Sequence, residues 1–359
     1  MSITQEETRH AQVYRQLVKR LALASPGSEF PTVAELKEEF DASQATITQA
    51  VRRLQQQGFI RRPVGKKRYV IAQQAPRTHT TIAVLRPFWP SPEYDSLLTG
   101  LQQACTQRRW ILELIHYQAW SDLDLTRIIN EHQGIISIGH PSAFADGQED
   151  HLLKQRYPFI SLMNRPENAA FAGVEGDDVA LGRMAVATLR KLGHRRIAVF
   201  LNEPHGLSVE RRLRGWRTAM QKAGEGNLDE LVIDCSVESG QDSIEIGRER
   251  FERWLGGKHA PFTAVFATAW TGALAVMRVM HDRHIDIPAD CSLLAQGGLW
   301  PVGRYLVPPL STIDYDANEW GRAACELLAE QIAENPSAPR SINLAPEIHL
   351  RGTTAHLRA

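Results

Sequence analysis

Beyond residue 80 the chain alternates two patterns. Short unbroken apolar runs occupy residues 82–85, 111–115, 134–138, 159–163, 173–175, 197–201, 231–234, 264–267 and 292–295. Between them lie longer stretches whose apolar residues recur at helical spacing, at 97–108, 180–192, 210–223, 243–255 and 271–281. A strand that is apolar on both faces must be buried on both, and intervening helices are what cover it. The pattern predicts an α/β body of parallel sheets clad in helices. Nine such runs suit two sheets better than one. Two facing lobes would turn the carboxyl ends of their strands toward a shared cleft, where open α/β sheets bind ligands.

The first 75 residues differ. They hold 12 Lys+Arg against 7 Asp+Glu, while the whole chain balances 41 against 41. No acidic residue lies between 42 and 92, and Arg52, Arg53, Arg61, Arg62, Lys66, Lys67 and Arg68 fall within seventeen positions. Such a concentration is the footprint of a module that meets phosphate, although a solvated basic face has the same composition. The local pattern decides between them. Val13, Leu17, Leu21 and Ala24 predict a first helix over about 8–24, stopped by Pro26-Gly27. Thr32 with Glu35 three residues on reads as a capping box for a short second helix bearing Leu36 and Phe40. Ser43 can cap a third helix, which buries Ile47, Val51 and Leu54 and turns Gln44, Ala45, Thr48, Gln49 and Arg52 elsewhere. Gly58 closes it. Residues 59–62, 63–67 and 68–71 then read as strand, turn and strand. A helix with an uncharged polar face suits a major groove, and a basic hairpin beside it suits the backbone or a minor groove.

This module resembles the GntR-type winged helix. The likeness rests on Phe30-Pro31-Thr32, Ala42-Ser43-Gln44-Ala45-Thr46-Ile47, Leu54-Gln55-Gln56-Gln57-Gly58-Phe59-Ile60 and Gly65-Lys66-Lys67-Arg68-Tyr69-Val70. It implies DNA contacts from Thr32, Ser43, Gln44, Thr46, Thr48 and Arg52, and from the wing residues Gly65, Lys66, Lys67 and Arg68. The chain departs from the family at 44 and 48, where Gln and Thr stand in place of arginines. Arginine reads guanine and glutamine suits adenine, so base preference should differ.

The body resembles the sensor domain of the LacI/GalR repressors. The stretch 189–198, Leu-Arg-Lys-Leu-Gly-His-Arg-Arg-Ile-Ala, carries most of the likeness. Asn164-Arg165-Pro166, Asp177-Asp178, Arg212-Leu213-Arg214-Gly215-Trp216, Pro308-Pro309-Leu310-Ser311-Thr312-Ile313 and Leu350-Arg351-Gly352-Thr353 add to it. The resemblance implies a periplasmic-binding-protein-like fold whose chain crosses between lobes near 162–165, 313–316 and 344–347. The expected organisation is a winged helix over 1–72, a linker over 73–80 and a sensor over 81–359. Lobe one would take about 81–163 and 316–344, and lobe two about 164–314 and 346–359. Two acids that hold sugar hydroxyls in the family are absent, since Ala269-Trp270 and Ala295-Gln296-Gly297-Gly298 stand at their places. The expected effector site therefore comprises Phe88, Trp89, Tyr94, Arg165, Asp177, Arg212, Trp270 and Trp300. Its aromatic faces would stack on sugar rings, with ordinary packing as the alternative. Its charge would lean positive, favouring a neutral or acidic sugar.

Other features point away from catalysis and from cofactors. Cys105, Cys235, Cys291 and Cys325 are too scattered for a zinc site, and His281 with His284 reads as a polar helix end. No phosphate loop, nucleophile elbow or dinucleotide fingerprint occurs. Without an apolar run long enough to span a bilayer or a leader-like start, the expected location is the cytoplasm. The expected function is a ligand-responsive repressor of carbohydrate-related genes, binding a two-fold operator as a homodimer through helix 97–105. The alternatives are a constitutive DNA-binding protein whose body only dimerises, and an enzyme acting on a small carbohydrate.

Overall fold

The structure, a computed structural model, describes residues 9–22, 24–25, 27–56, 58–63, 65, 68–72, 80–88, 91–139, 157–163, 165, 169–297, 302–333 and 340–357. It divides into two compact units, residues 1–79 and 80–359. Expectations for residues 73–79, Lys66, Lys67, Trp89 and Trp300 lie outside the described residues.

In the first unit, helices α1 (Arg9–Ala22), α2 (Val33–Phe40) and α3 (Gln44–Gln56) precede strands β1 (Ile60–Arg61) and β2 (Val70–Ile71). The capping box is present: Glu35 N–H donates to Thr32 Oγ1 at 3.2 Å, and Thr32 N–H donates to Glu35 Oε2 at 2.7 Å. Val13, Leu17, Phe30, Leu36, Ile47, Leu54 and Ile60 form one core, so the three helices and the hairpin are held by a shared apolar centre. Gly58 adopts φ +74°, which ends α3 and lets Phe59 N–H donate back to the Leu54 carbonyl. The segment read as a loop at 28–30 does more. Glu29 bridges Val70, with Phe30 N–H donating to Tyr69 O and Ile71 N–H to Ser28 O. It supplies β2 with a partner that its own residues do not announce.

The second unit holds two six-stranded sheets. Its elements are β3 (Thr81–Pro87), α4 (Pro92–Gln107), β4 (Ile111–Tyr117), α5 (Leu125–Glu131), β5 (Gly134–Ile138), β6 (Phe159–Leu162), β7 (Ala172–Gly176) and α6 (Asp178–Lys191). Then follow β8 (Ile197–Leu201), α7 (Leu207–Lys222), β9 (Val232–Asp234), α8 (Ser243–Leu255), β10 (Ala264–Ala267), α9 (Trp270–Asp282) and β11 (Ser292–Gln296). β12 (Ser311–Asp314), α10 (Ala317–Ala333), β13 (Ser341–Leu344) and β14 (Glu347–His349) complete it. The first lobe's sheet runs β13-β7-β6-β5-β3-β4, all parallel. The second runs β14-β12-β11-β10-β8-β9 and is parallel except for β14.

Sheet membership corrects one boundary. β7 pairs in parallel with β6 and β13, so residues 172–176 belong to lobe one and the first crossing falls at 176–178 rather than 162–165. Arg165 is the physical reason. Its Nε donates to Phe171 O at 2.7 Å and its Nη2 to Ala169 O at 2.6 Å, which holds residues 169–171, just before β7, against the end of β6. The later crossings fall at 315–316 and 345–346.

Among the described residues, a helix pair in each lobe comes into unusually close approach. A Cβ on Gly321 of α10 would lie 2.1 Å from Gly100 O on α4, and one on Gly182 of α6 would lie 2.1 Å from Arg212 O on α7. The α4–α10 contact also buries Leu97, Leu101, Ala104 and Cys105 in the lobe-one core. One face of helix 97–105 is therefore spent inside the lobe, and its other face, with Thr99, Gln102 and Gln103, is exposed. All four cysteines are buried and free. Among the described residues no helix is long and apolar enough to cross a membrane.

Candidate functional site

The first candidate surface is α3. Ile47, Ala50, Val51 and Leu54 are buried, whereas Gln44, Ala45, Thr48, Gln49 and Arg52 are exposed along the opposite face. Ser43 is exposed and caps the helix, accepting from Thr46 N–H at 3.2 Å, while half-buried Thr46 sits with its hydroxyl 2.9 Å from that of Ser43. Ser43 and Thr46 thus set where the helix begins, and Gln44 and Thr48 hold the exposed polar positions. Thr32 is committed to the capping box of α2.

The basic run divides by role. Arg53 lies 4.3 Å from the Tyr14 ring centroid, and Arg62 lies 5.9 Å from that of Tyr69. Arg68 pairs with Glu29 at 2.9 Å and with Glu35 at 3.5 Å, so it braces the wing against the loop at 29 and the start of α2. Both pairs are exposed and weak enough for a phosphate to displace. Gly65, with φ +80° and open space around it, makes the turn of the wing.

The second candidate site lies where the strand ends of the body's two lobes meet. Arg212, on the first turns of α7, is buried to 4 % exposure. Its Nε donates to Asp178 Oδ1 at 2.7 Å, and its Nη1 donates to Thr268 O at 2.9 Å and Gln296 Oε1 at 2.8 Å. Burial alone would lower this guanidinium's pKa, but Asp178 and Glu93 hold it above the ordinary value. Gln296, at the end of β11, passes the network across the cleft, its Nε2 donating to Glu93 Oε1 on α4 at 3.0 Å. Tyr315, at the second crossing, donates to Asp178 Oδ1 at 3.2 Å.

A second carboxylate stands nearby. Glu203 follows β8 and accepts from Ser243 Oγ at 3.0 Å and from Thr271 Oγ1. Desolvation raises the pKa of both Glu93 and Glu203, and each of the two is sensed by Tyr94. At the rim Glu175 accepts from Arg165 N–H and from Arg211 Nη1, and burial pushes its carboxyl up to about 7.

The expected site residues separate accordingly. Arg212 is in the network. Trp270 opens α9 half-buried, with its Cδ1 3.4 Å from where a Cβ on Gly297 would stand, so it flanks the end of β11. Phe88 is exposed at the end of β3, edge-on to His116 at 6.0 Å. Three assignments change. Asp177 is the N-cap of α6, accepting from Ala180 N–H at 2.8 Å, and its neighbour Asp178 is the cleft acid. Arg165 has its guanidinium on backbone carbonyls of its own turn. Tyr94 is buried in the lobe-one core. The inference that the cleft leans positive also falls, because Asp178, Glu93 and Glu203 outnumber Arg212. None of these three acids is a site residue expected from the sequence. Glu93 and Glu203 each follow a strand's carboxyl end, and that position is the signal that could have found them.

Comparisons with known proteins agree with both halves. Residues 9–70 match the bacterial regulatory proteins of the gntR family, and residues 186–354 match the periplasmic binding protein-like domain. The chain is 26 % identical to the HTH-type transcriptional regulator MalR of Streptomyces coelicolor, over 78 % of this chain and 82 % of that one. It is 24 % identical to the ribose operon repressor of Escherichia coli, over 77 % and 82 %. In fold the body is similar to a LacI family transcriptional regulator from Enterococcus faecium solved with bound ribose, with TM-score 0.66 and 24 % identity over 77 % of this chain and 100 % of that one. The chain is similar in fold also to the transcriptional regulator CelR in complex with cellobiose, at TM-score 0.65 and 20 % identity over 87 % of this chain and 91 % of that one.

Proposed function

We propose that this chain, a transcriptional regulator joining a gntR-type DNA-binding head to a periplasmic-binding-protein-like body, is a cytoplasmic, non-enzymatic homodimer that represses carbohydrate-related genes under control of a small polyol effector. The observation that carries the reading is the pairing, in one chain, of an exposed uncharged recognition face with a cleft lined by buried polar side chains. The relatives' own ligands, ribose and cellobiose, support the effector class. Two heads on a two-fold operator double the interactions that one small module makes. Exposed apolar side chains on the body support pairing: Tyr305 and Val307 are 74 % and 92 % exposed, and Ile111 and Leu114 stand out from edge strand β4.

A route from effector to hinge is available. A Cβ on Gly176 would lie 2.4 Å from the Tyr315 ring, so the first and second crossings pack together, and Tyr315 is bonded to Asp178. A ligand that reorganises the Arg212 network acts directly on the hinge. Coupling is reciprocal: an effector that weakens DNA binding is itself held more weakly on DNA.

Fluorescence anisotropy of the full chain on a two-fold operator, with a carbohydrate panel added, tests this reading. The expected result is two chains per operator and an affinity that shifts with ligand. Trp270→Ala should cost about 1–3 kcal/mol of effector affinity, the range for one buried aromatic side chain, and leave unliganded operator affinity unchanged. A ligand effect untouched by Trp270→Ala would move the site out of the cleft. Binding of one chain per operator would remove the dimer.

The wing gives a separate expectation. Replacing Lys66 and Lys67 with Gln should weaken binding to every DNA sequence. It should also flatten the salt dependence by about one unit of slope for each phosphate that is no longer neutralised. Replacing Gln44 should change base preference instead. A salt slope that stays the same in the double lysine variant would take the wing off the backbone.

A further inference from the structure

The charges around the cleft do not balance, and the surplus has one sign. Of the four arginines there, Arg165 has its guanidinium on backbone carbonyls and the other three each have an acid. Arg86 pairs with Asp95 at 2.8 Å, Arg211 with Glu175 at 2.9 Å, and Arg212 with Asp178 at 2.7 Å. Glu93 and Glu203 remain. Among the described residues their hydrogen-bond partners are neutral: Gln296 for Glu93, and Ser243 and Thr271 for Glu203. Beside Glu203, wholly buried Asn202 keeps its side-chain oxygen without a hydrogen-bond partner among the described residues. The polar groups left over are therefore acceptors, and two of them are carboxyl groups.

These two acids also come from opposite lobes. Glu93 rides on α4 of lobe one, and Glu203 follows β8 of lobe two. Polar contacts approach each other from the two acids: Glu93 to Gln296, Gln296 to Arg212 and Arg212 to the Thr268 carbonyl on one side, and Glu203 to Thr271, three residues beyond Thr268, on the other. Desolvation raises the pKa of both, and the Glu203 carboxylate adds repulsion at Glu93, which is what a site short of a cation looks like.

We infer that the effector is a polyol bearing an ammonium group, an amino sugar in class, whose cation is held by Glu93 from one lobe and Glu203 from the other. This rests on the cleft being the effector site. An ammonium is a compact point charge with three donors, suited to several acceptors at once. The ring hydroxyls fall to Arg212 and Gln296, and the Trp270 face stacks on the ring. The same chemistry favours closure of the cleft on the ligand. Without ligand, carboxylates on the two lobes repel each other. A cation between them turns that repulsion into a bridge, and the closed arrangement gains affinity that the open one lacks.

The test is calorimetric titration of the full chain at neutral pH with two matched sets. One is D-glucosamine, D-glucose and N-acetyl-D-glucosamine; the other is D-galactosamine, D-galactose and N-acetyl-D-galactosamine. The expected result is that an amine binds at least tenfold more tightly than its hydroxyl and acetamide counterparts. Glu93→Gln and Glu203→Gln should each remove at least tenfold of that affinity, with melting temperatures that show both variants folded. A neutral or acetylated sugar that binds as tightly as its amine, and is weakened by Trp270→Ala, overturns the ammonium assignment and leaves the cleft as the effector site. Failure of both amines to bind overturns the assignment as well. Amine binding indifferent to Glu93→Gln, Glu203→Gln and Trp270→Ala overturns the assignment and the cleft together.

Discussion

Arg212→Ala is expected to lose about 3–5 kcal/mol of folding stability and, with it, all measurable effector binding. The size follows from what is left behind. Asp178 is 3 % exposed and would be left with no cation beside it, while Thr268 O and Gln296 Oε1 would each lose a donor. A buried pair is itself weak evidence of net stabilisation, because desolvation offsets most of its attraction, but breaking one side of it is costly. A double variant separates the two roles. Arg212→Met with Asp178→Asn removes both charges at similar volume and should regain most of the lost stability while still binding no effector. Arg212→Lys should not rescue binding, because an ammonium cannot reproduce the fork that meets Asp178, Thr268 and Gln296 together. Urea unfolding and calorimetry on the three variants read the two losses separately. An Arg212→Ala chain with unchanged stability would mean that the ion pair contributes nothing to the fold.

The contrast between what is and is not legible in the sequence has a physical basis. β8 and β10 lie where their apolar runs lie, because a fully buried parallel strand writes its whole length in apolar residues. The capping box at Thr32 and Glu35 is legible for a similar reason: two local side chains answer two local N–H groups. β13 and β14 do not announce themselves. They are short, lie at sheet edges and are mostly exposed, so nothing forces apolar alternation on them. Asp177 and Asp178 are indistinguishable by type. One caps the helix and the other faces Arg212, a difference of about 100° around the helix axis. Glu93 is out of reach for another reason. Its partner Gln296 is 203 positions away, and only the packing of two lobes brings them together. Family likeness directs attention to 269–270 and 295–298, while this chain supplies its acids from α4 and the end of β8.

Gly182→Ala and Gly321→Ala should both destabilise the body, and the two should part company at the ligand. In an exposed helix the change from glycine to alanine stabilises by roughly 1 kcal/mol. Here the added methyl has nowhere to go. On Gly321 it would meet Gly100 O at 2.1 Å and Gly100 C at 2.3 Å, and on Gly182 it would meet Arg212 O at 2.1 Å and Trp216 N at 2.8 Å. Those are backbone atoms, so relief requires a whole helix to move. Overpacking of this kind costs about 1–3 kcal/mol or more, which outweighs the gain in propensity. In lobe one the helices forced apart are α4 and α10, and α10 carries no group of the Arg212 network. In lobe two the helix displaced is α7, and its movement carries Arg212 away from Asp178, Thr268 and Gln296. Gly182→Ala should therefore weaken effector binding at least tenfold, while Gly321→Ala should lower the melting temperature with a smaller effect on the ligand. Gly321 does lie on the helix that packs against α4, so a modest change through Glu93 is consistent with the same geometry. If Gly321→Ala melts at or above the parent temperature, the two lobe-one helices are not held at the separation described. If Gly182→Ala binds effector as the parent does, the position of α7 does not set the site.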